Sequence, residues 1–277
     1  MPIVHAIVLG ILQGFTEFLP ISSSGHLILV PELFGWDELT SDGDLEKTFD
    51  VALHIGTFVG AAWYFRRDLA RYFAAAWRSL RARSIQTVDE RMAWLLLLSA
   101  LPAAAVGAAL SGFIDDELGE PVLIGVMLIV GGAVLWWVDS LPGTRAAEGF
   151  RARDAVLMGA AQAVALQPGV SRAGITISMG RWLRFDRGAA TRLSFLMSLP
   201  IIAGAGLFEG VGVALDGGIE RSLVAPFLWG MVAAGVSGFV AVAGLLRLLR
   251  THSFTPFVVY RFIVGTAVIV IFATGLR

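Results

Sequence analysis

The 277-residue chain contains no cysteine and little charge. Without cysteine there can be no disulfide, no thiolate metal site and no cysteine nucleophile. Only 16% of the residues are charged, whereas a soluble domain usually carries about 25%. The 22 acidic and 21 basic residues leave a net charge of −1. With no excess of positive charge, the chain is not expected to bind nucleic acid.

Apolar residues and glycine make up most of the chain. Hydrophobic residues account for 56%, there are 32 glycines, and the mean hydropathy is +0.75. A water-soluble domain of this size could not bury so much apolar surface. The composition therefore predicts an all-α integral membrane protein, with residues 1–277 forming a single membrane domain that contacts membrane lipids.

Six segments are long and apolar enough to cross a bilayer as helices: 49–65, 91–111, 121–139, 192–212, 224–248 and 256–275. Two further apolar stretches, 2–36 and 154–183, are interrupted by proline and polar residues. Irregular backbone at membrane depth persists only where it is buried in protein or lines a wet cavity. These two stretches are therefore predicted to be re-entrant helical hairpins.

Arginine placement predicts the orientation of the chain. The connection 66–91 holds seven arginines and should be cytoplasmic, because basic residues favour the cytoplasmic side. Counting the predicted spans from there places the arginines of 145–153, 181–192 and 247–250 on the same side. The loop 112–120 has four acidic residues and no basic residue, which is typical of an outer loop. Both termini are predicted to lie outside.

The two interrupted stretches resemble each other. Gln13 and Gln162 occupy matching positions 149 residues apart, close to half the chain length. This spacing predicts pseudo-repeat halves of about 1–141 and 150–277, each with one hairpin and three spans. Because three is odd, the second half would be inserted upside down. Inverted repeats with broken helices bind their ligands at the repeat interface, so the hairpin tips are the predicted site.

The first tip carries a carboxylate within an apolar segment. Gln13 and Glu17 are four residues apart, hence on one face of a helix. A carboxylate inside a membrane is costly and by default indicates function. The alternative is a protonated Glu17 that only forms hydrogen bonds within the bundle.

Hydroxyl groups and a histidine follow this carboxylate. Ser22, Ser23 and Ser24 precede a glycine and suit the start of a helix, where free N–H groups attract an anion. Capping and close helix packing explain the same serines without a ligand. His26 is near enough in sequence to share a site with Ser23 and Glu17.

The second tip carries a fixed cation. Arg172 needs an anionic partner in an apolar segment, which could be Glu17 or a phosphate held by two parallel hydrogen bonds. Ser171 and Thr176 add hydroxyls, and Pro168-Gly169 opens a tight turn. An acid, an imidazole, an arginine and several hydroxyls suit phosphoryl chemistry, in which positioning and charge neutralisation dominate.

Three other polar residues in apolar segments are weaker candidates. Asp50 and His54 are four residues apart, and either line the same cavity or form a pair at the membrane interface. Arg261 lies one turn into the last predicted span. It is expected to extend its side chain to the cytoplasmic surface.

These residues resemble the undecaprenyl-diphosphate phosphatase family of bacteria, membrane enzymes linked to bacitracin resistance. The resemblance covers nearly the whole chain, and its markers are three segments: 13–26, 168–176 and 254–262. It implies hydrolysis of undecaprenyl diphosphate to the monophosphate, which recycles the lipid carrier for peptidoglycan synthesis. It also implies a divalent cation, Mg²⁺ or Ca²⁺, and an active site on the outer side of the inner membrane.

The resemblance also implies roles for individual residues. Arg172 would clamp the phosphates, with Gln13, Ser22, Ser24, Ser171 and Thr176 lining the substrate. The family has Glu or Gln at the position of Gln13. Because this chain has Gln there, Glu17 alone would bind the metal. Ala173 stands where the family usually has serine. Ser23 would be the nucleophile with His26 as its base, but His26 itself or a water remains a rival nucleophile.

Two further questions stay open at the level of sequence. Inverted repeats with broken helices are also typical of secondary transporters and lipid flippases, although such proteins have no evident need for a nucleophile and a base. Small-residue faces that include Gly125, Gly131 and Gly132 could serve packing within one chain or a homodimer.

Overall fold

The computed structural model describes residues 1–36, 43–215 and 218–275. This part of the chain is all-helical, with eleven α-helices and one short 3₁₀ turn at Ala147–Gly149. The helices are α1 Ile3–Phe18, α2 Ser23–Phe34, α3 Gly43–Tyr64, α4 Arg66–Ala82, α5 Val88–Glu117, α6 Pro121–Asp139, α7 Ala152–Val164, α8 Arg172–Trp182, α9 Arg187–Leu215, α10 Arg221–Leu248 and α11 Thr255–Ala273.

Five of these helices contain stretches long and apolar enough to cross a membrane: Val88–Leu110, Pro121–Asp139, Arg187–Val213, Arg221–Leu248 and Thr255–Ala273. They make the chain a multi-pass membrane protein, as its composition predicts. The sixth predicted span, 49–65, lies in α3 except for its last residue, and Lys47 and Asp50 lower the apolar character of that helix.

One helix was not anticipated from the sequence. Residues 66–91 were expected only to connect two spans, yet most of them form α4. This helix is amphipathic: Tyr72, Ala75 and Ser79 are buried while most of its arginines are exposed. Because six of its 17 residues are charged, it indicates a helix lying against the bundle rather than one crossing a bilayer.

Glycine permits the closest helix contacts in the bundle. A Cβ atom at Gly14 of α1 would lie 2.0 Å from the Ser237 Oγ of α10. A Cβ at Gly159 of α7 would similarly lie 2.4 Å from the Ser99 carbonyl oxygen of α5. α1 and α7 therefore lie closer to their neighbouring helices than any residue larger than glycine would allow.

Most basic residues gather at one end of the bundle. Four segments, 64–91, 139–153, 181–192 and 247–255, hold sixteen of the 21 basic residues. Hydrogen bonds join these segments to one another, including Arg192 to Asp68 at 2.7 Å, Arg187 to Asp139 at 2.6 Å, and Arg91 to the Glu148 carbonyl at 3.1 Å. We call this region the arginine-rich end.

The apolar core fixes the end of α1 beside the interruption. Phe18, the last residue of α1, is fully buried and meets the ring of Phe195 edge-on, with centroids 5.3 Å apart. Burying two such rings stabilises the contact through both apolar area and ring geometry. The carboxylate one residue earlier, at Glu17, is therefore carried by a well-anchored helix end.

Candidate active site

The first interruption, residues 19–22, separates α1 from α2. Pro20 has no N–H to continue the hydrogen bonding of α1. Ser22 precedes α2 with φ 76° and ψ 102°, in a region that non-glycine residues rarely adopt and that often marks a functional site. This turn places Ser23, at the start of α2, within hydrogen-bonding distance of the end of α1.

The second interruption, residues 165–171, has nearly the same geometry at its end. Ser171 precedes α8 with φ 72° and ψ 113°, and its Oγ accepts the Gly174 N–H at 3.0 Å as an N-cap. Ser22 and Ser171 are 149 residues apart, the same spacing that separates Gln13 from Gln162. Two corresponding serines thus have matching strained backbones.

The two interruptions touch each other. The Gly169 N–H donates to the Ser22 Oγ at 3.1 Å, and both groups are buried. Gly169 has φ +90°, and a Cβ there would lie 2.6 Å from the Ile124 carbonyl oxygen. Glycine is therefore required at this contact for both its backbone angle and its lack of a side chain.

Arg261 joins the interruptions from a third direction. Its guanidinium, fully buried, donates to the carbonyl oxygens of Pro20 at 3.1 Å, Gly169 at 2.9 Å and Val170 at 3.0 Å. Its remaining hydrogen bonds go to carbonyls of Met127 and Leu128 in α6.

The expectation that Arg261 extends to the cytoplasmic surface is wrong. Broken helices leave carbonyl groups without helical donors, and leaving such groups unpaired when buried costs about 1–3 kcal/mol each. A guanidinium, with five N–H donors in a rigid fork, satisfies several of them at once. This gain holds the side chain inside the bundle.

Glu17 is the centre of the site. Its side chain is only 4% exposed, and one carboxylate oxygen accepts a hydrogen bond from Arg172 of the second tip. The other oxygen accepts from Ser23 Oγ at 2.5 Å and from Gln13 Nε2 at 3.2 Å. The structure thus brings together four predicted site residues that come from both halves of the chain.

Ser23 and Arg172 form the accessible side of this cluster. Ser23 is half-buried, and the Arg172 side chain is 21% exposed. Within the described part of the chain, the Arg172 guanidinium donates only to Glu17. Its other N–H groups are left for an anion, so both partners that the sequence suggested for Arg172 are compatible with the geometry.

His26 is near this cluster but has different partners. Its Nδ1–H donates to the Ser22 carbonyl at 2.6 Å, and its Nε2 lies 2.7 Å from the Tyr260 hydroxyl. A neutral ring with hydrogen on Nδ1 accepts a hydrogen bond from the Tyr260 hydroxyl at Nε2. The described contacts give Ser23 a carboxylate partner, Glu17, rather than the imidazole of His26.

The remaining predicted hydroxyls have other partners. Thr176 is buried, donates to the Arg172 carbonyl at 2.7 Å and lies 2.6 Å from Ser194 Oγ, so it braces the start of α8. Ser171 caps α8, and Ser22 bridges to the second interruption. Ser24 is half-buried, and its hydroxyl makes no hydrogen bond within the described residues.

His54 is a further member of the site. Its Nδ1–H donates to the Asp50 carbonyl at 2.8 Å, which directs Nε2 toward Glu17 Oε2, 3.7 Å away. The sequence left two roles open for His54, and the structure supports the one beside Glu17. The signal was its four-residue spacing from Asp50 in an otherwise apolar helix. Nothing local in the sequence indicated Tyr260 as the partner of His26.

The oxygen atoms around Glu17 show whether these residues could bind a divalent cation. Within the described residues, no group of three or more histidine and acidic side chains is arranged to hold a metal ion. One buried acceptor does lack a partner there: Gln13 Oε1, on the same helix face as Glu17. Since Mg²⁺ is commonly held by one or two carboxylates together with substrate phosphates, these oxygens fit a cation shared with the substrate.

Fold and site together define a helical membrane protein with a buried polar centre built from two broken helices. Comparison with known proteins places it in a family. The family described as bacitracin resistance protein BacA matches residues 6–267. The chain belongs to this family, and the resemblance seen in its sequence is confirmed.

Curated relatives agree over the full length. The chain is 44% identical to a protein of Pelobacter propionicus, covering 100% of this chain and 99% of the relative. A protein of Geobacter sulfurreducens is 45% identical, covering 97% and 98%. One of a Nocardioides species is 43% identical, covering 98% and 97%. All three are named undecaprenyl-diphosphatase. The prediction of a membrane hydrolase of the polyprenyl-diphosphate phosphatase class is thereby confirmed.

Proposed function

We propose that this protein hydrolyses undecaprenyl diphosphate to undecaprenyl phosphate and inorganic phosphate, and so recycles the lipid carrier for cell-wall synthesis. The observation that carries the proposal is the cluster at Glu17, where Ser23 and Arg172 meet one carboxylate. The name shared by the relatives supports the same substrate. A diphosphate needs cations and N–H donors, while its polyprenyl tail needs the surrounding lipid, and a polar centre within an apolar bundle serves both.

Ser23 is the proposed nucleophile. Its Oγ attacks the terminal phosphorus, the bond from that phosphorus to the bridging oxygen breaks, and undecaprenyl phosphate leaves. The hydroxyl proton goes to Glu17, whose carboxylate oxygen lies 2.5 Å from Oγ. A serine hydroxyl needs such a base to become an effective nucleophile. Water then hydrolyses the phosphoserine with the help of Glu17 and releases inorganic phosphate.

Arg172 is the proposed phosphate clamp. It retains its bond to Glu17 while its free N–H groups bind the oxygens of the terminal phosphate. This arrangement neutralises charge on the transferring group, which is where most catalysis of phosphoryl transfer arises. His26, held by Ser22 and Tyr260, shapes the start of α2. Ser24 and the backbone N–H groups of that helix line the substrate phosphates.

Gln13 and Glu17 are the residues that would hold a divalent cation, Mg²⁺ or Ca²⁺. When bound, such an ion supplies charge neutralisation for the diphosphate. The Gln13 Oε1, which has no hydrogen-bond partner among the described residues, and the Glu17 carboxylate would be its protein ligands, together with oxygens of the substrate phosphates.

We further propose the complete topology. It has six transmembrane helices, α3, α5, α6, α9, α10 and α11, with α1–α2 and α7–α8 as re-entrant hairpins. The halves 1–141 and 150–277 form an inverted repeat within one membrane domain. The matched backbones of Ser22 and Ser171, and the matched glycine contacts of α1 and α7, support the repeat. The arginine-rich end faces the cytoplasm of the inner membrane, and the site opens to the outer side.

The test is phosphate release from undecaprenyl diphosphate by detergent-purified protein with added Mg²⁺ or Ca²⁺. We expect Glu17→Gln and Ser23→Ala to lower kcat by at least about 10²-fold, because each removes one partner of the proton transfer. Ser222→Ala, at an exposed hydroxyl outside the site, is the control for Ser23, and Glu148→Gln, at an exposed carboxylate, is the control for Glu17. Both controls should keep kcat near the wild-type value.

Other outcomes would contradict parts of the proposal. Full activity in Glu17→Gln and Ser23→Ala would exclude this cluster as the catalytic centre. If Ser23→Ala stayed active while His26→Gln did not, the nucleophile would be His26 or water activated by it. Movement of the lipid across sealed vesicles with no hydrolysis would favour a transporter.

A further inference from the structure

A polar cavity lies at the arginine-rich end, beyond the C-terminal end of α8. Its volume is about 410 Å³, and it lies between the loop before α7 and the turn after α8. Its charged lining residues are Arg145, Arg151, Arg153, Asp154 and Arg184, and Trp182 forms an aromatic part of its wall. Four arginines thus face a single carboxylate.

That carboxylate is already neutralised. Arg145 donates to both oxygens of Asp154, at 2.6 and 3.2 Å. Arg151 and Arg153 are exposed, and their guanidinium groups make no hydrogen bond or ion pair with any described residue. Arg184 donates only to the Pro142 carbonyl, at 3.2 Å. Three positive charges therefore remain without an anionic partner around one cavity.

The cavity is rigidly built. Arg184 has φ 70°, a left-handed conformation that neighbouring bonds hold in place. Its carbonyl accepts the N–H groups of Thr144 and Arg145, both at 3.0 Å. The Arg145 guanidinium also lies over the Phe185 ring, 4.1 Å from its centroid. Arg145 and Arg184 are thus presented by a fixed turn, and Arg151 and Arg153 by the start of α7.

An aromatic side chain indicates which phosphate compound fits. Trp182, on the wall of the cavity, is 46% exposed. At the same end, Trp136 and Trp137 of α6 are 63% and 55% exposed. Exposed tryptophans in a membrane protein lie at the level of the lipid headgroups. A ligand here would place its phosphate on the arginines and its apolar part along Trp182, toward the bilayer.

We propose that this cavity binds the phosphate headgroup of an anionic phospholipid. Arginine binds phosphate oxygens through parallel N–H donors, and basic pockets between membrane helices are suited to acidic lipid headgroups. The site is separate from the one at Glu17, and its occupancy does not depend on hydrolysis of any substrate.

The experiment counts lipids bound to the full-length protein by native mass spectrometry, with phosphatidylglycerol, phosphatidylcholine or inorganic phosphate added in turn. The test variant is Arg151→Gln with Arg153→Gln. The control is Arg81→Gln with Arg83→Gln, which removes the same charge from exposed positions at the C-terminal end of α4. Phosphatase activity of each variant shows that it is folded.

We expect wild type and control to retain phosphatidylglycerol in preference to phosphatidylcholine. The Arg151/Arg153 variant should bind phosphatidylglycerol at least about tenfold more weakly, because it loses charge-assisted hydrogen bonds to the phosphate. Equal losses in variant and control would show general charge attraction and overturn the proposal. Saturable binding of inorganic phosphate that displaces the lipid would identify a free-phosphate site instead, and would equally overturn it.

Discussion

Two arginines of the centre differ in their partners, and the difference separates their roles. Arg172 donates to the carboxylate of Glu17 and leaves other donors free at a half-buried surface. Arg261 is fully buried and makes all its hydrogen bonds to backbone carbonyls. The first can reach a substrate. The second can act only by holding the two interruptions together, so it is a positioning residue.

Replacing Arg261 by lysine should therefore reduce kcat more than it changes KM. An ammonium group cannot bridge carbonyls of both interruptions, and a shift of about 1 Å in reacting groups can cost about 10²-fold in rate. Arg181→Lys is the matched control, since Arg181 is also buried and bonds to the carbonyls of Phe185 and Leu141. Steady-state kinetics and thermal unfolding of both variants check this prediction.

We expect both lysine variants to unfold at lower temperature than wild type. Only Arg261→Lys should lose kcat beyond the loss of folded protein. An Arg261→Lys enzyme with wild-type kcat per folded molecule would show that the relative placement of the interruptions does not depend on this side chain.

At the scale of helices, two close contacts support the broken segments. α1 approaches α10 at Gly14, and α7 approaches α5 at Gly159. At each contact the glycine has no side chain, so the helix before an interruption can pack closely against a long neighbouring helix. The site depends on these contacts, because Glu17 lies less than one turn beyond Gly14.

Gly14→Ala should destabilise the protein. The added Cβ would lie 2.0 Å from Ser237 Oγ and 2.5 Å from the Ala234 carbonyl oxygen, and such overpacking typically costs about 1–3 kcal/mol. Gly204→Ala in α9 is the control, because nothing lies within 4 Å of its Cβ position. There, alanine should be neutral or stabilising by up to about 1 kcal/mol. Thermal unfolding followed by tryptophan fluorescence measures both, and equal melting temperatures would contradict the close contact.

At the scale of the whole molecule, charge is divided between the two ends. The four segments of the arginine-rich end hold sixteen of the 21 basic residues but only six of the 22 acidic ones. This division carries the proposed orientation, because basic residues are retained on the cytoplasmic side. It also explains why a net charge near zero says little about local charge in this protein.

The absence of cysteine makes that orientation directly testable. Ala146→Cys lies at the arginine-rich end, and Ser222→Cys lies at the opposite end; both positions are exposed. In intact cells, a membrane-impermeant maleimide should label Ser222→Cys, and Ala146→Cys only after permeabilisation. The cysteine-free wild type is the control for background labelling. The reverse pattern would place the site on the cytoplasmic side and refute the proposed topology.

Local sequence was enough to predict the long apolar helices and to propose candidate site residues. Apolar runs predicted the long helices, and the polar and proline residues around Pro20 and Pro168 predicted the two breaks. Glu17, Ser23 and Arg172 were identified because charged and hydroxyl groups are costly in apolar segments unless they have a purpose. The amphipathic α4 was not predicted, because its six charged residues make it unlike an apolar span.

The sequence by itself determined that this is a helical membrane protein with polar residues at two broken segments, because composition and helix breaks depend on a few neighbouring residues. Only the tertiary structure decided the partners. Ser23 bonds to Glu17 and His26 to Tyr260, and Arg261 turns inward. These pairings depend on how buried donors are matched with acceptors from segments up to 241 residues apart, and no local pattern records that matching.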